Sequence, residues 1–138
     1  MRDEIQYWKV KSLLLSGSSY EEVKKEVDQF FLILKGKTKR KMSIRSRYFR
    51  KRKVFFDYFW DHIFQKPKKQ RLVRLKLVSC AIELIKNTTL VPSQKINPNK
   101  SSEILYRFYG LTTKKNVFVL QIKDTGKSLQ FLSVFPWK

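Results

Sequence analysis

The chain has little of several things that particular chemistries or compartments demand. Among 138 residues there are one cysteine, one histidine, four glycines and four prolines, and only 11 acids against 31 lysines and arginines. Cys80, being alone, cannot form an internal disulfide, and its place in a segment of helical pattern predicts a small buried apolar residue in a reducing compartment. One Cys and one His cannot supply a usual zinc site. Walker and dinucleotide loops are absent, and four glycines leave little room for one. After residue 28 the carboxylates are Asp57, Asp61, Glu83, Glu103 and Asp124, sparse for the converging acids of a two-metal site. Gln121–Lys123 downstream of Glu103 offers only a degenerate metal-nuclease strand with no evident upstream Asp. No stretch approaches the ~20 apolar residues of a membrane span, the longest helical run being "FFLIL". The opening "MRDEIQYWK" carries two acids and no long apolar region, unlike a secretory signal. These shortages predict a cytoplasmic protein with no metal, no cofactor and no membrane anchor.

What the chain has in excess is positive charge, +20 in all, beside 42% apolar and 14% aromatic residues. The apolar fraction suffices for one compact domain with a small appendage. The charge would self-repel in a compact body, so a polyanion is the expected partner, nucleic acid before anionic lipid. It is also unevenly spread. Residues 1–28 hold six acids and five bases, a net of −1, which leaves +21 on the other 110 residues. The asymmetry predicts a structural N-terminal piece joined to a nucleic-acid-facing body.

Residues 1–36 read as a helical hairpin. "DEIQYWKVKSLLL" places Ile5, Trp8 and Leu13 near one helical face, "SGSS" interrupts, and Ser18 or Ser19, each followed three residues later by Glu, restarts the chain as a capping box does. Tyr20, Val23, Val27, Phe30, Phe31 and Leu34 then keep helical spacing up to Gly36. Residues 37–53 read as a basic arm or linker, since Lys35–Lys53 contains eleven Lys or Arg in nineteen residues. Such a run cannot bury itself. Its cations, among them Arg45, Arg47, Arg50, Lys51, Arg52 and Lys53, would lie along phosphates while Tyr48 or Phe49 stacks on a base; a merely solubilising linker is the plainer alternative.

Residues 54–138 read as a compact α+β domain. "VFFDYFW" is a strand or the beginning of a short helix, and Lys68–Asn87 predicts one helix of about four turns, with Leu72, Leu75, Ile82 and Ile85 on its apolar face. "TTLVPSQKINPNKSS" predicts a loop. "EILYRFYG", "NVFVLQIK" and "LQFLSVFP" predict an antiparallel meander through two short hairpins, in a sheet of three to five strands. Each of these strands carries one isolated polar residue, Arg107, Gln121 and Ser133, which would share an exposed face if the registers cooperate.

The segments "WDHI", "LVPSQKI", "ILYRFYG", "VFVLQI" and "LQFLSVFP", in this order over about 80 residues, resemble the Barnase, EndoU, colicin and RelE (BECR) fold ribonucleases, and especially their phage-barnase-like toxin members. The resemblance implies a metal-independent endoribonuclease in which the 2′-hydroxyl attacks the phosphate. In the family pattern a second histidine follows the first; here "QKPKKQR" stands in its place, so two-histidine chemistry is excluded and the site must draw on Lys, Arg and Tyr. The expected assignments are His62 as base or acid, Arg107 as phosphate clamp, Ser133 as a hydrogen bonder to phosphate, and Lys66 and Lys69 as further cations or proton donors. Arg71 and Tyr106 are expected to touch RNA. Such a protein would be restrained by an acidic antitoxin or immunity protein, and the N-terminal hairpin would serve dimerisation, docking or packing. The rival expectation is a basic RNA- or DNA-binding protein without chemistry. Both bind in a salt-dependent way, so only cleavage separates them.

Overall fold

The computed structural model describes residues 5–35, 42–63 and 65–137. Among these, four helices and one curled seven-stranded sheet make a mixed α+β fold. The helices are α1 (Tyr20–Lys35), α2 (Asp57–Ile63), α3 (Lys68–Lys76) and α4 (Val78–Asn87). The strands are β1 (Trp8–Lys9), β2 (Ser43–Ser46), β3 (Arg52–Phe55), β4 (Ser93–Asn97), β5 (Lys100–Leu111), β6 (Val117–Asp124) and β7 (Leu129–Pro136). Their order is β1-β5-β6-β7-β3-β2, with β4 also paired to β5.

The antiparallel β5-β6-β7 meander is present, but it is part of a larger mixed sheet than the expected three to five strands. β1 joins β5 in parallel at Gly110 and Leu111, and β3 joins β7 in parallel at Leu129 and Gln130. The long β5 shares one edge between β4 and β1, laid end to end. Two prolines had suggested a loop where β4 lies. Pro92 and Pro98 bracket the strand instead of interrupting it, so no ladder N–H is lost.

The N-terminal segment is not a helical hairpin. α1 forms as expected: Ser19 Oγ accepts from Glu22 N–H at 3.2 Å, and the Glu22 carboxylate reaches back to Ser18 N–H at 3.0 Å. Val23, Val27 and Phe31, one helical turn apart, are buried. The residues before it are extended, because tertiary partners take the bonds that a helix would have made. Glu83 of α4 accepts from the N–H groups of Lys11 (2.8 Å) and Ser12 (2.7 Å) and from Ser12 Oγ (2.6 Å), while Ser79 Oγ donates to Leu13 O at 2.7 Å. Leu15 N–H reaches Lys76 O at 3.0 Å. Charged hydrogen bonds of this kind contribute about 1.5–3 kcal/mol each, enough to override a weak helical pattern.

The basic stretch is likewise not a free arm over its described part. Residues 37–41 lie outside the described residues, and from Ser43 the chain forms the β2-β3 hairpin. Ser43, Ile44, Ser46 and Val54 are buried. Tyr48 and Phe49, expected to stack on bases, put their rings 5.4 and 5.9 Å from Phe108. All three sequence segments therefore contribute strands to one sheet. The expected single helix over Lys68–Asn87 is divided at Leu77, whose N–H bonds Arg74 O at 3.1 Å, an i→i−3 contact that tightens the turn.

The core joins α4, the buried face of α1, and Phe56 and Phe59 of the α2 region to the sheet face formed by Phe108, Phe118, Leu120, Ile122, Phe131 and Val134. Cys80 is fully buried, and burial pushes its thiol up to about 11. Among the described residues no helix is long and apolar enough to cross a membrane.

Gly110 is where this core tolerates least. A Cβ there would sit 2.3 Å from Phe118 Cζ, because the Phe118 ring lies over the glycine directly opposite it. Gly110→Ala should lower stability by about 1–3 kcal/mol through overpacking, read as a lower urea midpoint, with part of the loss recovered in Gly110→Ala/Phe118→Leu. An unchanged midpoint would contradict the packing described.

Candidate nucleic-acid interface

Side chains alternate along β5, β6 and β7. While Phe108, Phe118, Leu120 and Ile122 enter the core, Leu105, Arg107, Tyr109, Val119, Gln121 and Lys123 stand on the opposite face. Register turns this alternation into a row across four strands: Ser93 opposes Arg107, Arg107 opposes Gln121, and Gln121 opposes Ser133. A bulge makes the last step possible. Gln121 pairs with Ser133 but Ile122 pairs with Phe131, so Leu132 is the extra residue. Strict alternation would put residues 131 and 133 on one face. With the bulge, Ser133 stays beside Gln121 while the Phe131 ring enters the core, 4.7 Å from Phe59 and 5.0 Å from Phe56.

From Arg107 to Ser133 the row is hydrogen-bonded. With its oxygen turned to the guanidinium, the Gln121 amide accepts from Arg107 Nε (2.9 Å) and Nη2 (3.0 Å) and its nitrogen meets Ser133 Oγ at 3.1 Å. In this orientation the amide oxygen faces donors and the amide nitrogen faces an acceptor. Gln121 engages two of the five N–H donors of the guanidinium and fixes its plane beside the serine hydroxyl.

Three concavities meet around the row. One of about 270 Å³ is lined by Ile96, Ile104, Leu105 and Leu132, with Lys95, Lys123 and Glu103 in its wall. A second, of about 260 Å³, is bounded by Ser93, Gln94, Lys95, Leu105, Arg107 and Tyr109. A small third one lies between Phe59, Ile63, Lys66 and Arg74 of the helical side and Leu132 and Ser133 of β7. Lys95 and Leu105 are shared by the first two, and Leu132 by the first and third, so the three lie side by side as one grooved surface. Its helical wall exists because β3 covers β7 only at Leu129 and Gln130; beyond that, α2 and α3 lie along β7.

Lys66, Arg74, Lys95, Arg107 and Lys123 line this groove, against one carboxylate, Glu103, which lies 3.3 Å from Lys123 and 4.0 Å from Lys100. The Arg74 guanidinium lies 5.2 Å over the Phe135 ring, and burial lowers its proton affinity. Its charge persists all the same, since Arg titrates far above neutrality. Lys123 Nζ lies 5.8 Å over the Tyr58 ring. Oriented cations around neutral donors, in a partly enclosed groove, suit a phosphodiester.

The structure brings Arg107, Ser133 and Lys66 to one groove. His62 is in the last turn of α2, next to Ile63 of the groove wall; its side chain lies outside the described residues. Lys69 is exposed on α3 and lines none of the three concavities. Arg71 faces elsewhere, its Nε donating to Lys66 O at 2.6 Å and its guanidinium 5.7 Å over the Tyr20 ring of α1. Tyr106, one residue from Arg107, is on the core side of β5, 4.9 Å from the Phe49 ring, and burial first, with the nearby Asp124 charge, raises its hydroxyl pKa. Arg47, Arg50, Lys51 and Arg52 are exposed on the β2-β3 hairpin and line none of the three concavities, Arg52 lying 3.7 Å from Asp124. Arg45 and Lys53 oppose each other there, and pairing of Phe55 with Gln130 and of Gln130 with Lys123 puts them on the groove side. They extend the cationic surface beyond it.

Sequence reasoning missed Arg74, Lys95, Lys123 and Tyr109. For Lys123 and Tyr109 a signal existed, since each lies two residues from Gln121 or Arg107 and so on the same strand face. Arg74 and Lys95 gave none, being one cation among many on a helix and in an expected loop. Among the described residues no group of three or more His, Cys, Asp or Glu could hold a metal. No protein-family model, no curated protein and no solved structure matches the chain.

The Arg107 Nε–H should exchange slowly with solvent in nitrogen-resolved NMR spectra. Gln121→Ala should accelerate that exchange roughly five- to tenfold, as loss of a hydrogen bond of about 1 kcal/mol requires. Equal exchange in both proteins would mean that Gln121 does not hold the guanidinium.

Proposed function

We propose that the protein is a metal-independent endoribonuclease whose scissile phosphate sits on the Arg107–Gln121–Ser133 row. The single observation that carries this reading is the in-register row itself, a guanidinium fixed by a neutral amide beside a hydroxyl, in a groove of cations. The resemblance of "ILYRFYG", "VFVLQI" and "LQFLSVFP" to BECR ribonucleases supports it, since Arg107, Gln121 and Ser133 come from those three segments.

In this mechanism the 2′-hydroxyl attacks phosphorus and loses its proton to a base. The P–O5′ bond breaks as the 5′-oxygen gains a proton from an acid, leaving a 2′,3′-cyclic phosphate and a 5′-hydroxyl. Charge grows on the non-bridging oxygens, and the N–H donors of Arg107 turned away from Gln121 stabilise it without reorganising. Ser133 Oγ donates a hydrogen bond to the same phosphate. His62 is the only side chain of the sequence whose ordinary pKa lies near neutrality, and we assign it one proton transfer, with Lys66 supplying charge or the second proton. The excess of cations suits restraint by an acidic inhibitor protein covering the groove.

A second reading, a nucleic-acid-binding protein without chemistry, is favoured by one observation: the row is already hydrogen-bonded internally, as a rigid phosphate rest would be. One experiment separates the two. Total RNA incubated with the protein in EDTA should yield fragments ending in 2′,3′-cyclic phosphate, with Arg107→Ala slower by about 100-fold or more and His62→Ala also impaired. Salt-sensitive RNA binding without fragments would reject the enzyme in favour of the binding protein.

A further inference from the structure

One end of the groove face is aromatic. Beyond Arg107 on β5 comes Tyr109, whose ring is 6.3 Å from Tyr7 and 6.0 Å from Trp137, both edge to face. These three rings come from distant parts of the chain and are brought together by the sheet. Tyr7 immediately precedes β1, which pairs with Gly110 and Leu111, and Trp137 follows β7, with its N–H held by Val117 O at 2.9 Å. Tyr109 and Phe135 flank Val119 across the strands, and Val119 is fully buried even though it lies on the groove face.

Covering Val119 explains Tyr109 and Phe135, but not their neighbours. Tyr7 stays 42% exposed and Trp137 38% exposed, an unusual use of large aromatic surface in so highly charged a protein. The Tyr109 hydroxyl shares a hydrogen bond of 3.3 Å with Ser93 Oγ, which fixes the middle ring beside the Arg107 row. Lys9 opposes Leu111 and is exposed at the margin of the patch. Arg107 and Tyr109 are two residues apart on one strand, or about 7 Å.

We propose that Tyr7, Tyr109 and Trp137 form a stacking platform for an unpaired nucleobase, next to the row that takes the phosphate. The inference rests on the RNA reading of that row and adds the substrate class: single-stranded RNA, held by one base beside the scissile linkage. Charge complementarity selects this occupant. A nucleotide presents an anionic phosphate and an apolar π-face side by side, as the groove presents a cationic row and an aromatic one. A base in a duplex has its faces occupied by its neighbours and cannot use the platform. Stacking of this kind contributes about 1–3 kcal/mol per base and tolerates any sequence.

The test uses a short RNA with 2′-O-methyl groups throughout, which cannot be cleaved, and a second copy with abasic residues. The intact protein should bind the first about 5- to 100-fold more tightly than the abasic copy. Tyr7→Ala/Trp137→Ala should lose most of that ratio while its affinity for the abasic copy and its salt dependence stay unchanged; Trp137→Phe should keep the ratio. Circular dichroism confirms that each variant folds. A duplex of the same sequence should be indifferent to the double substitution. A base-to-abasic ratio that survives in the double variant would overturn the platform while leaving the phosphate row standing. If the intact protein bound neither oligonucleotide, the RNA reading of the row and the platform would fall together.

Discussion

The geometry of the proposed site depends on the register of β5, β6 and β7. Side chains alternate with a period of two, so a slip of one residue between any two of these strands would exchange core and groove residues along the slipped strand. Arg107 would then point at Phe118 and Leu120, and Phe108 would face water. The core resists such a slip, because Phe108, Phe118, Leu120, Ile122, Phe131 and Val134 are all buried on the other face. Between β6 and β7 the bulge at Leu132 departs from strict alternation. It places Phe131 among the rings of Phe56 and Phe59 while Ser133 remains beside Gln121. Packing of the apolar face thus fixes the geometry of the polar one.

The charge of the chain has little part in holding that fold together. Its described ion pairs, such as Lys24 with Asp28 and Arg52 with Asp124, lie at or near the surface, where such pairs contribute about 0–1 kcal/mol. Buried aromatic and aliphatic side chains do the stabilising, helped by the Glu83 carboxylate that ties the N-terminal segment to α4. Mutual repulsion among the cations is a cost of folding that a bound polyanion would offset. Concentrating five cations along one groove, and continuing the surface through Arg45 and Lys53, makes that offset local to the proposed site.

Much of this was legible in the sequence where local pattern and tertiary structure agree. The apolar spacing of Val23, Val27 and Phe31 marked α1, and the isolated polar residues Arg107, Gln121 and Ser133 marked a shared strand face before any register was known. What stayed hidden depends on distant partners. Lys11 and Ser12 are extended because Glu83, more than seventy residues later, takes their N–H groups. The hairpin β2-β3 is hidden by its own lysines and arginines, whose alternation with buried Ile44 and Val54 matters only once β7 offers an edge. Tyr106 and Arg107 are adjacent in sequence and on opposite faces in space, so the strand's own alternation puts only Arg107 on the groove face.

The claim that a phosphate rests on the row between Gln121 and the groove cations is tested most directly by a structure of the protein bound to a short RNA with a 2′-deoxy residue at the reacting position. The account predicts one phosphate oxygen about 2.7–3.0 Å from an Arg107 nitrogen and another in hydrogen-bond range of Ser133 Oγ. RNA tracking along other surfaces, with the Arg107–Gln121–Ser133 row touching none of its phosphates, would contradict it.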